Sequence, residues 1–265
     1  MITLQFGSSL AKNLFSLSGV AGATGLRLFF ASICLILILK PWKIPFKKAY
    51  LLPLTAYGIS LGVMNLSFYF ALNRIPLGIA VALEFTGPLL LAVYASKNKW
   101  DVLWVVLAAL GIYFLLPQQQ QLTLDPWGIF FALLAGACWA LYIIFGKRLS
   151  NTLPTQMGIS YGMSIATLVV LPFALVFNTQ QLMNIEVLLP GLMVGIFASA
   201  IPYALELHAM KGLSQKSFSI LMSLEPAIAT IIGVIFLHEF LTPLQSVAIL
   251  LISFASLGTT LSRSK

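Results

Sequence analysis

The sequence predicts an all-α polytopic membrane protein in which ten transmembrane helices form two inverted repeats of five helices each. Three observations lead to this fold class. Hydrophobic residues make up 60% of the chain and charged residues 8%, and the mean hydropathy is +0.99, well above that of soluble globular proteins. Apolar runs alternate with short polar turns from end to end. The two halves of the chain also resemble each other segment by segment.

Most of the apolar runs contain about 20 residues, which is enough for an α-helix to cross about 30 Å of hydrocarbon. The chain outside these runs consists of turns, so it leaves no room for a separate soluble domain. The predicted helices span residues 1–16, 23–40, 51–72, 77–96, 102–117, 127–145, 155–177, 187–209, 217–237 and 242–261.

The internal similarity divides the chain into a first repeat at 1–117, a linker at 118–126 and a second repeat at 127–262. Because five is an odd number of helices, the second repeat must enter the membrane upside down relative to the first. Aligned on the second repeat, the first would begin several residues before Met1. We therefore expect a truncated first helix, the alternative being a short, tilted or partly embedded one.

The positive charge is distributed unevenly across the predicted topology. The formal net charge is +8, and of the fifteen lysines and arginines all but Lys12, Arg27 and Arg74 fall on one side of the membrane. Cytoplasmic loops carry such an excess, so both termini are predicted to be cytoplasmic. The basic residues therefore indicate topology, and we expect no nucleic-acid partner.

A glutamate lies beside a proline in the middle of one predicted helix in each half. Glu84 precedes Pro88 by four residues, Glu225 directly precedes Pro226, and the two prolines align between the repeats. A charged carboxylate at the bilayer centre costs about 2.5–3.5 kcal/mol, so it normally faces a cavity or a partner. The alternative is a structural acid that is hydrogen-bonded between helices.

Prolines also interrupt helical hydrogen bonding, and these interruptions coincide with the acids. Pro88 cannot donate to the carbonyl of Glu84, and Pro226 disfavours helical geometry at Glu225. Each half then offers a carboxylate close to backbone that lacks its helical hydrogen bond. Such a pair of acceptors suits an ammonium group or a proton. The candidate helix-breaking residues are Gly87, Pro88, Pro202 and Pro226.

Further polar residues inside the predicted spans are candidates for binding substrate or protons. Lys12 and Arg27 could meet a substrate carboxylate or neutralise a glutamate, and the alternative is snorkelling to the outer headgroups. Glu206 is either a proton site or an interfacial residue. The candidate pocket-lining residues, each of which could instead serve in packing or interface anchoring, are Asn65, Tyr69, Trp139, Tyr142 and Tyr203.

Metal-binding, redox and nucleotide-binding signatures are missing from the sequence. It contains no HExxH, CxxC or P-loop motif, so we expect no enzymatic activity, no metal and no cofactor. Uphill transport would then depend on an ion gradient or on another solute.

Several segments resemble the EamA family of the drug/metabolite transporter superfamily, over essentially the whole chain. A first-helix pattern ends in Lys12, with Arg27 in the second helix. A second-repeat signature contains Glu225-Pro226, followed by a turn in which His238 replaces the usual glycine. The segments that narrow the resemblance to bacterial threonine/homoserine exporters of the Rht type are Lys40–Trp42, Pro76–Pro88 and Gly136–Tyr142.

This resemblance implies ten helices, an inverted repeat, a central cavity and export of small metabolites across the bacterial inner membrane. The narrower resemblance implies small amino acids as cargo and H+ as the coupling ion. In the leading hypothesis, Glu84 and Glu225 bind the ammonium or the proton, and Lys12 holds the carboxylate. The alternatives are another cargo for the same fold, such as a drug or a phosphorylated sugar, and a non-transporting membrane subunit. The sequence predicts no oligomeric state.

Overall fold

The computed structural model describes residues 2–94, 101–115, 124–150, 152–182, 184–202, 205 and 224–262. Within these ranges the chain is helical, with no β-strand. A π-helical segment, Ile196–Ala200, continues α8, and 3-10 turns occupy Pro41–Lys43 and Lys48–Tyr50. The α-helices are α1 (Ile2–Leu39), α2 (Leu51–Leu72), α3 (Leu77–Glu84), α4 (Thr86–Tyr94), α5 (Asp101–Leu115), α6 (Pro126–Ser150), α7 (Thr155–Leu182), α8 (Ile185–Gly195), α9 (Glu225–Leu237) and α10 (Pro243–Ser262).

The first two predicted helices are joined by one non-helical residue rather than by a longer turn. Helix α1 runs from Ile2 to Leu39 and is kinked at Gly19, where φ is 66° and ψ is 169°. Residues with a side chain rarely adopt this conformation, whereas glycine adopts it without steric cost. Gly19 therefore divides α1 into an amino-terminal arm (residues 2–18) and a carboxy-terminal arm (residues 20–39).

The fourth predicted helix, 77–96, is divided in the structure. Helix α3 ends at Glu84 and α4 begins at Thr86, so the chain leaves regular helix at Phe85. The hydroxyl of Thr86 donates to the carbonyl of Leu83 at 2.6 Å. The division places Glu84 at a helix end within the bundle.

Four helical stretches are long and apolar enough to cross a membrane by length and composition: Leu14–Leu39, Lys48–Leu72, Pro126–Leu149 and Thr155–Val176. Shorter apolar helices lie at Leu77–Leu91, Ile185–Ala200, Glu225–Leu237 and Pro243–Ala255. Large apolar side chains also cover the outside of the bundle, as at Leu52 and Val176, which are 79% and 78% exposed. Such a surface suits contact with lipid.

Helix packing produces two main groups of buried side chains. Helix α1 packs against α7 and α8, α2 against α6 and α7, and α3 lies against α6 and α9. The first group surrounds the amino-terminal arm of α1, the end of α2 and all of α3. The second joins the carboxy-terminal arm of α1 to α2, α6 and α7. The candidate acids belong to the elements that surround the first group.

The last helix begins with a reciprocal cap. The side chain of Gln245 accepts from the backbone N–H of Thr242 at 3.0 Å, and Thr242 Oγ1 accepts from the N–H of Gln245 at 3.2 Å. This arrangement is a capping box, which satisfies N–H groups that have no partner at the start of a helix. It fixes the position at which the chain leaves the turn after α9.

Some of the sequence predictions concern residues outside the described part of the chain. These are Tyr203 and Glu206, most of the predicted linker (118–123 of 118–126) and the beginning of the ninth predicted helix (217–223).

Candidate functional site

Glu84 is the last residue of α3, and its side chain is 9% exposed. Pro88 has no N–H to donate to the carbonyl of Glu84, and Gly136 of α6 packs directly against that carbonyl. A Cβ on Gly136 would lie 2.6 Å from the Glu84 carbonyl oxygen, and a Cβ on Gly87 would collide with the backbone of Gly136. Glycines on α4 and α6 therefore let the two helices meet where α3 ends.

Glu225 is the first residue of α9, is directly followed by Pro226 at the helix start, and is 4% exposed. Proline is well suited to this position because its missing N–H would have no helical partner there. Glu225 Oε1 accepts a hydrogen bond from Gln5 Nε2 of α1 at 3.1 Å. The carboxylate is thus oriented by the amino-terminal arm of α1.

The two glutamates are 141 positions apart in the sequence, but the fold brings their helices together. Helix α3, which ends at Glu84, packs against α9, which begins at Glu225. Both acids and Arg27 are buried. Within the part of the chain that the structure describes, the Glu84 carboxylate has no hydrogen bond. Two buried acids and one buried base therefore share the interior of the helical bundle.

Arg27 is 3% exposed, which excludes the snorkelling that the sequence left open. Its Nη2 donates to the carbonyl of Ala198 at 2.9 Å and its Nε to Ser199 Oγ at 2.8 Å. Pro202 lacks the N–H that would bond the Ala198 carbonyl in a regular α-helix. The missing N–H of Pro202 therefore leaves an acceptor that Arg27 uses to join α1 to the π-helical segment.

Tyr69 and Asn65 lie on the buried side of α2. The guanidinium of Arg27 lies 5.1 Å from the centroid of the Tyr69 ring, which is a cation–π contact. The buried Tyr69 hydroxyl has no hydrogen-bond partner among the described residues. Asn65 uses its amide to donate to the backbone carbonyl of Leu61 at 2.8 Å. Of these two residues, Tyr69 is the one in contact with the buried charges.

The two aromatic candidates on α6 have different surroundings. Trp139 is half-buried and meets Phe85, the residue after Glu84, edge to face with a centroid separation of 5.3 Å. Tyr142 pairs with Tyr57 at 4.7 Å and belongs to the second group of buried side chains. The structure thus associates Trp139 with the end of α3 and Tyr142 with the second group of buried side chains.

Lys12 forms an ion pair with Glu239, in the turn between α9 and α10. The other oxygen of Glu239 accepts the backbone N–H of Leu77, the first residue of α3, at 2.8 Å. Sequence reasoning did not include Glu239 among the candidate residues, although its side chain is only 9% exposed. A usable signal was present, because Lys12 and Glu239 are isolated charges that the predicted topology places on the same side.

Sequence reasoning also missed two buried polar residues on α1, Gln5 and Ser8, which are 1% and 0% exposed. Gln5 Oε1, Ser8 Oγ and Glu225 Oε2 have no hydrogen-bond partner in the described ranges. A buried polar atom without a partner costs about 1–3 kcal/mol. The small, polar run around Ser8 was a signal, but it was equally compatible with close helix packing.

No group of three or more His, Cys, Asp or Glu side chains in the described ranges is arranged to hold a metal ion. The apolar helical bundle, with two acids and a base in its interior, places this protein in the class of polytopic membrane proteins with a polar core. Intramembrane ionisable groups are typical of proteins that move solutes or ions.

The EamA-like transporter family model matches residues 126–261. The threonine/homoserine exporter RhtA of Escherichia coli strain K12 is 46% identical over 266 residues, which cover 100% of this chain and 90% of the relative. RhtA of Salmonella typhimurium strain LT2 is 45% identical over 263 residues, covering 99% and 89%. The chain belongs to the EamA-like transporter family.

The fold is also found among solved structures. A crystal structure of a protein with 18% sequence identity superposes with a TM-score of 0.63 and covers 99% of this chain and 98% of its own. At this identity the likeness concerns the fold alone. The family and the curated relatives, by contrast, indicate a multi-pass protein of the bacterial inner membrane whose homologues are transporters.

Proposed function

We propose that this protein exports small amino acids, of the threonine and homoserine kind, across the bacterial inner membrane by alternating access coupled to H+. The observation that carries the mechanism is the pair of buried glutamates, Glu84 and Glu225, at the ends of two helices that pack against each other. The cargo follows from the 46% identity to a protein named as a threonine/homoserine exporter.

The proposed architecture consists of ten helices in two inverted repeats, 1–117 and 127–262, with both termini in the cytoplasm. The distribution of lysine and arginine supports this orientation. The family match over 126–261 supports a boundary near Pro126, because it coincides with the second repeat. Inverted repeats allow one half to rock against the other around a fixed site near the bilayer midplane.

In this mechanism Glu84 and Glu225 alternate between binding a proton and binding the ammonium group of the substrate. Charged groups in a low-dielectric interior need a partner, so loss of one cation favours binding of the other. Lys12 is paired with Glu239 in this structure. It would meet a substrate carboxylate only after exchanging that partner.

Efflux measurements test this function directly. Cells sensitive to threonine are loaded with labelled threonine or homoserine, and the initial efflux rate is compared with that of cells lacking the protein. We expect Glu84→Gln and Glu225→Gln to lower the rate at least about tenfold, because amide groups cannot carry the negative charge. Glu186→Gln is the matched control, because Glu186 is exposed at the start of α8 and should leave efflux unchanged.

Unchanged efflux in both buried variants would refute the role of the acids. Absence of threonine and homoserine efflux from the wild-type protein, despite good membrane expression, would refute the cargo. Coupling is tested by collapsing the pH gradient, which should abolish uphill export while leaving exchange of labelled for unlabelled amino acid.

A further inference from the structure

Three buried oxygen atoms without partners lie on α1 and at the start of α9, two helices that pack against each other. They are Gln5 Oε1, Ser8 Oγ and Glu225 Oε2, and each is sealed from solvent and lacks a hydrogen bond in the described part of the chain. Gln5 and Glu225 are already in contact through the 3.1 Å hydrogen bond between Gln5 Nε2 and Glu225 Oε1. The hydrogen bond therefore fixes the position of Gln5 relative to Glu225.

The backbone of α1 keeps Gln5 and Ser8 on one face. Residues three apart on a helix are neighbours on its surface, so Ser8 lies one turn from Gln5 and faces the same side. This part of α1 is seated firmly, because Gly7 abuts Ala198 and the Phe6 ring meets Phe236 edge to face at 5.2 Å. The side chains of Gln5 and Ser8 therefore project from a tightly packed segment of α1.

The chemistry of the three atoms is complementary to a primary ammonium group. Such a group has three N–H donors, one positive charge and no acceptor. Glu225 supplies an anionic oxygen, Gln5 an amide carbonyl oxygen and Ser8 a hydroxyl oxygen that can accept. A neutral hydroxyl or a carboxylate ligand would leave at least the Gln5 oxygen or the Glu225 charge unsatisfied.

We propose that Gln5, Ser8 and Glu225 form the subsite that recognises the α-ammonium group of the exported amino acid. This assignment rests on the proposed function and adds Gln5 and Ser8 to it as specificity-determining residues. Each acceptor pairs with one N–H of the ammonium, and the Gln5 amide continues to orient Glu225. The subsite distinguishes a primary amine from an N-methylated or deaminated analogue of the same shape.

The test measures equilibrium binding of labelled threonine to the purified full chain in lipid nanodiscs. Ser8→Ala is the principal variant, because removal of a buried hydroxyl without a partner should not lower the thermal stability. Ser9→Ala is the matched control, since Ser9 Oγ already donates to the carbonyl of Phe6 at 2.8 Å. We expect Ser8→Ala to weaken binding about tenfold and Ser9→Ala to leave it unchanged. Gln5→Leu provides a second variant, which should weaken binding by at least as much.

Competition with N-methylthreonine then shows whether Ser8 recognises the ammonium group itself. Each N-methyl group removes one N–H donor, so the methylated compound should bind wild type about tenfold more weakly than threonine does. In Ser8→Ala one acceptor is already gone, so the penalty for methylation should shrink. The deaminated analogue 3-hydroxybutyrate should not displace labelled threonine from either wild type or Ser8→Ala.

The outcomes separate the subsite from the function. If wild type binds and exports threonine but Ser8→Ala and Gln5→Leu bind it as tightly, the subsite is refuted while the exporter stands. An equal methylation penalty in wild type and Ser8→Ala also refutes the role of Ser8. If wild type neither binds nor exports threonine or homoserine, the proposed function is refuted, and the subsite assignment that rests on it is refuted too.

Discussion

Lys12 and Glu239, separated by 227 positions in the sequence, form an ion pair that joins α1 to the turn between α9 and α10. The same carboxylate caps α3 by accepting the N–H of Leu77 at 2.8 Å. A Cβ on Gly233 would lie 2.5 Å from Glu239 Oε2, so α9 also closes around this side chain. One acidic side chain thus connects three parts of the bundle.

Glu239→Ala should destabilise the protein by about 2 kcal/mol, mostly through loss of the cap on α3, because Lys12 is 29% exposed and can be partly resolvated. The measurement is the apparent melting temperature of the purified protein in detergent. Arg74→Ala is the control, because the Arg74–Asp125 pair is 33% and 38% exposed, and its loss should cost under about 1 kcal/mol. Equal melting temperatures for Glu239→Ala and wild type would contradict the capping role.

His238→Gly should stabilise the protein by about 1 kcal/mol. His238 ends α9 with φ at 52° and ψ at 36°, a left-handed conformation that glycine adopts at no steric cost. The readout is a higher melting temperature, with His238→Ala as the control that should give no gain. A lower melting temperature for the glycine variant would mean that the imidazole makes a compensating interaction.

Gly87→Ala should destabilise the protein by about 1–3 kcal/mol and reduce efflux, because its methyl group would collide with the Gly136 backbone beside Glu84. Gly146→Ala is the control. Gly146 lies on α6, the helix that Gly87 contacts, and a Cβ there would meet only the Tyr57 ring, at 3.2 Å. Melting temperature and efflux are measured on both variants. Normal efflux by Gly87→Ala would show that the contact of α4 with α6 does not position Glu84.

Arg27→Lys should lower both stability and efflux, although the charge is kept. A lysine ammonium cannot reproduce the planar pair of donors that reaches Ala198 and Ser199 at once. The expected loss of stability is about 1–2 kcal/mol, from one charge-assisted hydrogen bond. Arg148→Lys, at an exposed arginine, provides the same substitution as a control. If both variants melt and export alike, the contact with the π-helical segment is dispensable.

Much of the fold could be predicted because lipid imposes strong rules on a sequence. An apolar run of about 20 residues must be helical, since every backbone N–H and C=O needs a partner away from water. The helix starting at Leu51 was predicted with the bounds that the structure gives it, Leu51–Leu72. The kink at Gly19 and the interruption at Phe85 were harder to predict. The hydrophobic periodicity of a sequence does not show that a single residue is enough to interrupt a helix.

The site was predictable in part. Buried acids at Glu84 and Glu225 follow from the high cost of charge in hydrocarbon, which makes any such residue conspicuous in an apolar helix. Glu239, Gln5 and Ser8 were missed because each lies in a segment whose composition suits a solvated turn or close packing equally well. Tyr142 was grouped with the pocket, yet it pairs with Tyr57 among the second group of buried side chains.

The sequence by itself determined that the chain is helical, embedded in lipid and equipped with two interior acids, since these properties depend on hydropathy, length and local bond geometry. Only the tertiary structure decided which partner each polar group has: Glu239 for Lys12, the Ala198 carbonyl for Arg27 and Gln5 for Glu225. Such pairings depend on which helices are neighbours and on how each is rotated. A single sequence does not encode that information in any local pattern.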